Sequence, residues 1–188
     1  RPRSPTLAGA MSRLESVERS GLYANFGPQE QELRDRFAAR LGVQARQVAT
    51  VANATLGLAG AVATLGGARW AVPTFTFPAT PAAVLAAGAE PVLADVGTDL
   101  VLDVAAGRAD GLMPVAPFGA TPDLARWAAH GRVVHDAAAS LGNTSDLPDP
   151  PTGHAVVYSL HVTKVLGAGE GGIAVFGDAN DADQFRAW

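Results

Sequence analysis

Lys164 is the only lysine in a chain that carries thirteen arginines. Arginine stays protonated in proteins, so it cannot stand in where chemistry needs a nitrogen that gives up its proton. A lysine amine can do so, and can then attack a carbonyl carbon to form a Schiff base. Lys164 closes the segment Ser159-Leu160-His161-Val162-Thr163-Lys164, between an apolar run and the glycine-rich Gly167-Ala168-Gly169-Glu170-Gly171-Gly172. Taken alone, one lysine is what a composition biased toward Ala, Gly and Arg leaves by chance. Its company argues otherwise.

Three further groups could do chemistry beside it. Asn53-Ala54-Thr55 lies between a short β-rich run and a helical stretch. A helix N-terminus there would offer free N–H groups to a phosphate, although Asn53 or Thr55 could equally be an ordinary N-cap, the reading local sequence favours. Thr74-Phe75-Thr76-Phe77 follows the next β-rich run, and a flat aromatic there can stack on a ring or simply fill a core. Asp136 follows a third run, where a carboxylate must find a cation, a donor or water. Ser159, ahead of Lys164, can donate to phosphate. An amine, a carboxylate, an aromatic platform and a phosphate cradle together match pyridoxal 5′-phosphate (PLP), whose aldehyde needs a lysine and whose ring nitrogen needs an acid.

The elements that must position these groups are legible as a pattern. Helical stretches are expected at Leu7–Ser20 and from Pro28 to Leu41, the latter with Leu33, Phe37 and Leu41 on one face and a stop at Gly42. Short β-rich runs follow at Val48–Val51, Trp70–Val72, Pro91–Asp95, Gly111–Val115, Arg132–His135, Ala155–Ser159 and Ile173–Phe176. Helical stretches at Ala54–Leu65, Ala79–Ala87 and Pro122–His130 separate several of them, a short helix is expected at Ala137–Leu141, and Asp181–Trp188 reads as the opening of another. The apolar runs are continuous, which suits strands covered on both faces. Strand and helix alternating at this spacing imply an α/β layer with a mostly parallel sheet, whose ligands sit at the carboxyl ends of the strands. The proline-rich stretch from Leu147 to Gly153 reads as a surface loop, because the strand pattern resumes after it.

Composition excludes several functions. The chain has 188 residues, is 48% hydrophobic and 17% charged, and can therefore bury a core. Its net charge of −4 and lack of a basic run argue against nucleic acid as a partner. No cysteine is present, which removes disulfides, thiolate catalysis and zinc–thiolate sites. His130, His135, His154 and His161 show no ligand-pair spacing, so no metal is expected. No apolar stretch reaches membrane-span length and no leader pattern is visible, so a cytoplasmic location is the default expectation. A dinucleotide site would need a G-x-G-x-x-G turn after the first strand, and Val51-Ala-Asn-Ala-Thr-Leu-Gly57 does not supply it.

In these residues and their order, the chain resembles the DegT/StrS-type nucleotide-sugar aminotransferases. The matching segments are Tyr23-Ala-Asn-Phe-Gly-Pro28, Asn53-Ala-Thr-Leu-Gly-Leu58, Pro73-Thr-Phe-Thr-Phe-Pro-Ala-Thr80, Gly88-Ala-Glu-Pro-Val-Leu-Ala-Asp95, Met113-Pro-Val-Ala-Pro-Phe-Gly119, His135-Asp-Ala-Ala-Ala-Ser-Leu-Gly142 and Tyr158–Lys164 with Gly169–Gly172. They run in family order over nearly the whole chain, and the 28-position step from Asp136 to Lys164 is typical of the family.

The resemblance implies a three-layer α/β/α fold with a mostly parallel seven-stranded sheet, the large domain of fold type I PLP enzymes. Residues 1–188 would be that PLP-binding domain with a helical segment at 1–42, and the family's small C-terminal domain would lie outside the chain. Lys164 would hold the cofactor aldehyde and shuttle protons. Asp136 would pair with the ring nitrogen and Phe77 would stack on the ring. Asn53, Ala54, Thr55 and Ser159 would line the phosphate site, and His161 and Thr163 would support the lysine. The expected reaction moves an amino group from glutamate or glutamine to a keto sugar, in a homodimer. A cyclitol acceptor, or a non-catalytic binding module, would be the alternatives. Two positions depart from the family pattern: Ala139, where relatives carry Gln or His, and Val165, where relatives often carry Asn.

Overall fold

The computed structural model describes residues 5–23, 26–103, 109–143 and 149–188. Ala24 and Asn25 of the Tyr23–Pro28 segment, and Leu147 and Pro148 of the proline-rich loop, lie outside the described residues.

Seven strands make one sheet: β1 (Val48–Val51), β2 (Arg69–Pro73), β3 (Glu90–Ala94), β4 (Gly111–Leu112), β5 (Val133–Asp136), β6 (His154–Ser159) and β7 (Gly172–Phe176). Their order across the sheet is β1-β7-β6-β5-β4-β2-β3. The pairs β3/β2, β2/β4, β4/β5 and β5/β6 are parallel, while β7 runs antiparallel to both β6 and β1. Pro91 is tolerated because β3 is an edge strand, where a missing N–H need not break a ladder.

Among the described residues six α-helices accompany the sheet: α1 (Leu7–Ser20), α2 (Pro28–Leu41), α3 (Ala54–Leu65), α4 (Ala79–Ala86), α5 (Leu124–Trp127) and α6 (Ala179–Ala187). Side chains alternate across the central strands. Ala155, Val157, Ala174 and Phe176 pack with Leu58 and Val62 of α3 and Phe185 of α6. Val156, Tyr158, Ile173 and Val175 pack on the other face with Phe37 and Leu41 of α2. The continuous apolar runs therefore fill a core on each face, a further cluster forms around Ala71, Leu112, Trp127 and Val133, and the architecture is three-layered.

Helix α1 stands apart from both cores. It is capped by Thr6, whose Oγ1 accepts from Gly9 N at 3.2 Å, and none of its residues is buried. Arg13 ties it to α2 through a fork on Glu32 (2.6 and 2.9 Å) and a bond to Gln29 (2.8 Å).

The structure corrects four expected spans. The strand over Gly111–Val115 shortens to Gly111–Leu112, because Pro114 has no N–H to continue a ladder; beyond it one bridge joins Val115 to Asp136. The helix over Pro122–His130 shrinks to Leu124–Trp127, started by Asp123, whose carboxylate accepts from Arg126 N at 3.0 Å. Ala137–Leu141 forms turns, not a helix. The last helix begins earlier than Asp181, at Ala179, with Asp178 as its cap.

Candidate active site

Asp136 is the last residue of β5 and is 5% exposed. Its strand continues an apolar ladder, so the carboxylate is carried into the protein rather than left beyond the strand end. Thr80 Oγ1 donates to its Oδ2 at 2.7 Å and Ala138 N donates to its Oδ1 at 3.2 Å. Among the described residues no ion pair reaches it. Burial pushes its carboxyl above the ordinary carboxylate range, and the two donors and the charge of Lys164 only partly offset that. Asp136 ends β5 and Lys164 follows the end of β6, the parallel neighbour of β5, so both residues lie at the carboxyl end of the sheet.

Lys164 is half-buried at the tip of the β6–β7 connection. Backbone bonds hold that loop closed from both sides: Leu160 N to Gly171 O (2.9 Å), Ala168 N to Leu160 O (2.8 Å) and Val162 N to Gly169 O (2.9 Å). Gly167 is required there by space, since a Cβ would sit 2.6 Å from Val162 O. His161 and Thr163 brace the turn. Thr163 N donates to His161 Nδ1 at 3.3 Å and the Thr163 hydroxyl lies 2.8 Å from the same nitrogen. Nδ1 is thus the acceptor, and Nε2 carries the proton that faces Glu170 Oε1 at 3.6 Å.

The expected phosphate-site residues meet around Gly172. This glycine is the register partner of both Val51 in β1 and Ser159 in β6. A Cβ there would lie 3.0 Å from Ala54 N and 2.8 Å from Val51 Cγ2, so only glycine lets the start of α3 settle onto the strand. Ala54 and Thr55 begin α3, whose first-turn N–H groups have no partner within the helix. Asn53 is its N-cap, with Oδ1 accepting from Leu56 N at 2.9 Å, so its side chain is committed to the helix. Ser159 is 5% exposed; its Oγ accepts from His161 N at 3.2 Å, which leaves its own proton to donate. Asp136 pairs with Val157, two residues before Ser159 on the neighbouring strand.

Phe77 stands 76% exposed in the loop between β2 and α4. Thr80 N donates to its carbonyl at 3.1 Å. Nearby, Phe118 adopts a left-handed backbone (φ 52°), is 85% exposed, and faces Phe75 with ring centres 6.0 Å apart. Asn143 Nδ2 holds the next carbonyl, of Gly119, at 2.6 Å, and Gly119 packs on the backbone of Ala139.

The sequence reading missed Thr76 and Thr80. The available signal was Thr80 itself, a hydroxyl in the first turn of an otherwise apolar helix, where it is fully buried and must find a partner.

These groups fit a flat heteroaromatic with an aldehyde, a phosphate and a basic ring nitrogen. A buried carboxyl ends β5, the lysine amine follows the neighbouring β6, and the start of α3 packs on Gly172, the register partner of Ser159. A cavity of about 290 Å³ between α1 and α2, lined in part by Val17, Leu22, Tyr23 and Glu30, shares no residue with this set.

A family model described as the DegT/DnrJ/EryC1/StrS aminotransferase family matches residues 8–188. Among solved structures, DesI, determined in the presence of its TDP-sugar product, is 30% identical with a TM-score of 0.83, over 100% of this chain and 51% of its own. A DegT DnrJ EryC1 StrS aminotransferase from Brucella abortus is 31% identical with a TM-score of 0.76, over 96% of this chain and 55% of its own. A protein from Bacillus cereus ATCC 10987 assigned as a PLP-dependent aminotransferase is 28% identical with a TM-score of 0.86, over 99% of this chain and 56% of its own. The chain thus spans little more than half the length of each.

Proposed function

The chain belongs to the DegT/DnrJ/EryC1/StrS aminotransferase family, and from that premise we propose that it holds PLP through Lys164 and Asp136 and moves an amino group from glutamate or glutamine to a keto sugar carried on a nucleotide. The observation that carries this reading is the placement of the sole lysine and a buried acid, to which no ion pair is made among the described residues, after the carboxyl ends of two neighbouring parallel strands. Bound PLP would supply an aldehyde for the amine and an electron-accepting ring. Lys164 would grip that aldehyde and, once released, carry a proton at Nζ between substrate carbon and cofactor carbon. Asp136 would keep the ring nitrogen protonated. Ala54, Thr55 and Ser159 would hold the phosphate, with Asn53 shaping the helix start, and Phe77 would cover one ring face.

In this reading residues 1–188 form the large cofactor-binding domain, with the helical segment 1–42 at its start. A second copy covers the exposed apolar side chains around the lysine, among them Val162, Val165 and Leu166, giving a cytoplasmic homodimer. No helix among the described residues is long and apolar enough to cross a membrane.

The test is direct. The protein incubated with PLP turns yellow, and borohydride fixes a pyridoxyl group that peptide mapping places on Lys164. A panel of nucleotide-linked keto sugars, scored by 2-oxoglutarate release from glutamate, then identifies the acceptor. Failure to take up PLP overturns the reading; uptake with no turnover on any ketone overturns the transferase half of it.

A further inference from the structure

Two hydroxyls stand in line behind Asp136. Thr80 Oγ1 lies 2.7 Å from Asp136 Oδ2, and Thr76 Oγ1 lies 2.6 Å from Thr80 Oγ1. An ionised carboxylate only accepts, so the single proton of Thr80 points to Asp136. The oxygen of Thr80 is then the acceptor for Thr76. Each bond polarises the next, and Thr80 is fully buried, so no water competes for its bond to Asp136. The same residue has a second hold: its backbone N–H donates to the carbonyl of Phe77 at 3.1 Å. Phe77 is otherwise largely in solvent.

We propose that Thr80 is a positioning residue, which orients Asp136 through its hydroxyl and ties that acid, through Thr76 and its own backbone, to the loop that carries Phe77. With Thr80 on Oδ2 and Ala138 N on Oδ1, both carboxylate oxygens are anchored and the group cannot rotate freely. A flat ring would then meet its edge partner and its face partner at a separation set by one threonine. The reach toward the cofactor rests on Asp136 being the partner of the ring nitrogen, as argued above. The hydroxyl line itself does not.

The experiment uses the chain prepared without cofactor, labelled with 13C at the aspartate carboxyl carbon. Asp136→Asn identifies the Asp136 signal, and its titration is followed in the parent, Thr80→Val, Thr80→Ser and Thr76→Val. Loss of a hydrogen bond to a charged group raises the Asp136 midpoint in Thr80→Val by about one to two pH units. Thr80→Ser, which keeps the hydroxyl, titrates like the parent, and Thr76→Val shifts upward by less. PLP affinity, read by absorbance, falls about tenfold in Thr80→Val and returns in Thr80→Ser. A midpoint that is the same in all four proteins overturns the proposal. If Thr80→Val does not fold, the partly exposed Thr76 decides: an unmoved midpoint in Thr76→Val overturns it equally. A parent that takes up no PLP removes the cofactor reading while the titration still judges the relay.

Discussion

His135 and His154 meet ring to ring in the core, Nε2 to Nδ1 at 3.4 Å, on the residue directly before Asp136. His154 Nε2 lies 2.9 Å from the carbonyl of His130, which can only accept, so that nitrogen carries hydrogen. His154 Nδ1 is then bare, and His135 Nε2 donates to it across 3.4 Å. Both rings must be neutral for this to hold. Burial, with His154 beside it, pulls His135 down to about 3, and burial lowers His154 as well.

The sign of the pH dependence follows. In the unfolded chain each ring takes a proton near pH 6.5, while the folded chain refuses it until far lower. This contribution to stability is complete above about pH 6.5 and is lost as pH falls toward about 3, by on the order of 5 kcal/mol for His135. In an Asp136→Asn background, which removes the opposing carboxyl, urea melts from pH 7 to pH 4 should show a falling midpoint, and adding His135→Leu should flatten that slope.

Lys164→Arg keeps the charge and removes the deprotonatable nitrogen. Turnover should drop about a thousandfold or more, the scale of lost proton transfer, and borohydride should fix no cofactor at position 164. Thermal stability should stay within about 0.5 kcal/mol, because Lys164 sits half-exposed on a loop.

Asp136→Asn should separate stability from function. The buried carboxyl has a raised affinity for its proton, so the folded chain is penalised as pH rises past about 4 toward the raised folded value. Removing the charge should make the cofactor-free chain more stable at pH 7, seen as a higher melting temperature. The same variant should lose about a hundredfold in turnover, the cost of one missing electrostatic partner at a reacting ring.

Phe77→Ala should weaken PLP binding about three- to tenfold, the worth of one aromatic stack. Because the side chain is 76% exposed, melting should be nearly unchanged. A core role would show the reverse, a lowered melting temperature with intact affinity.

Gly167→Ala forces a methyl to within 2.6 Å of Val162 O, a backbone atom that cannot swing aside. The cost should be about 1–3 kcal/mol in a denaturant melt, accompanied by weaker PLP uptake as the lysine turn opens.

Much of the site could be read from the sequence because charge and backbone freedom are scarce in an apolar α/β core. One amine, one acid at the end of an apolar run, and a glycine run stand out there, and the amine and the acid follow the carboxyl ends of two neighbouring central strands, β6 and β5. The sheet was legible for the same reason, except where single residues override the pattern. Pro114 ends β4 early, and Asp123 claims the start of α5 from Pro122. Thr80 stayed hidden because a threonine in a helix carries no periodic signal, and its partner lies 56 positions away. Asn53 illustrates the opposite case: its N-cap role was the reading that local sequence favoured, and that is the bond it makes.

The position of β7 between β1 and β6 has a consequence for biosynthesis. β1 lies at a sheet edge with β7 as its only neighbour, and Val51 pairs with Gly172. As the polypeptide leaves the ribosome, β1 and the helix start behind it must wait until Gly172–Phe176 has emerged before they can dock. A nascent chain halted before β7 would leave β1 unpaired and the start of α3 without the strand it settles on.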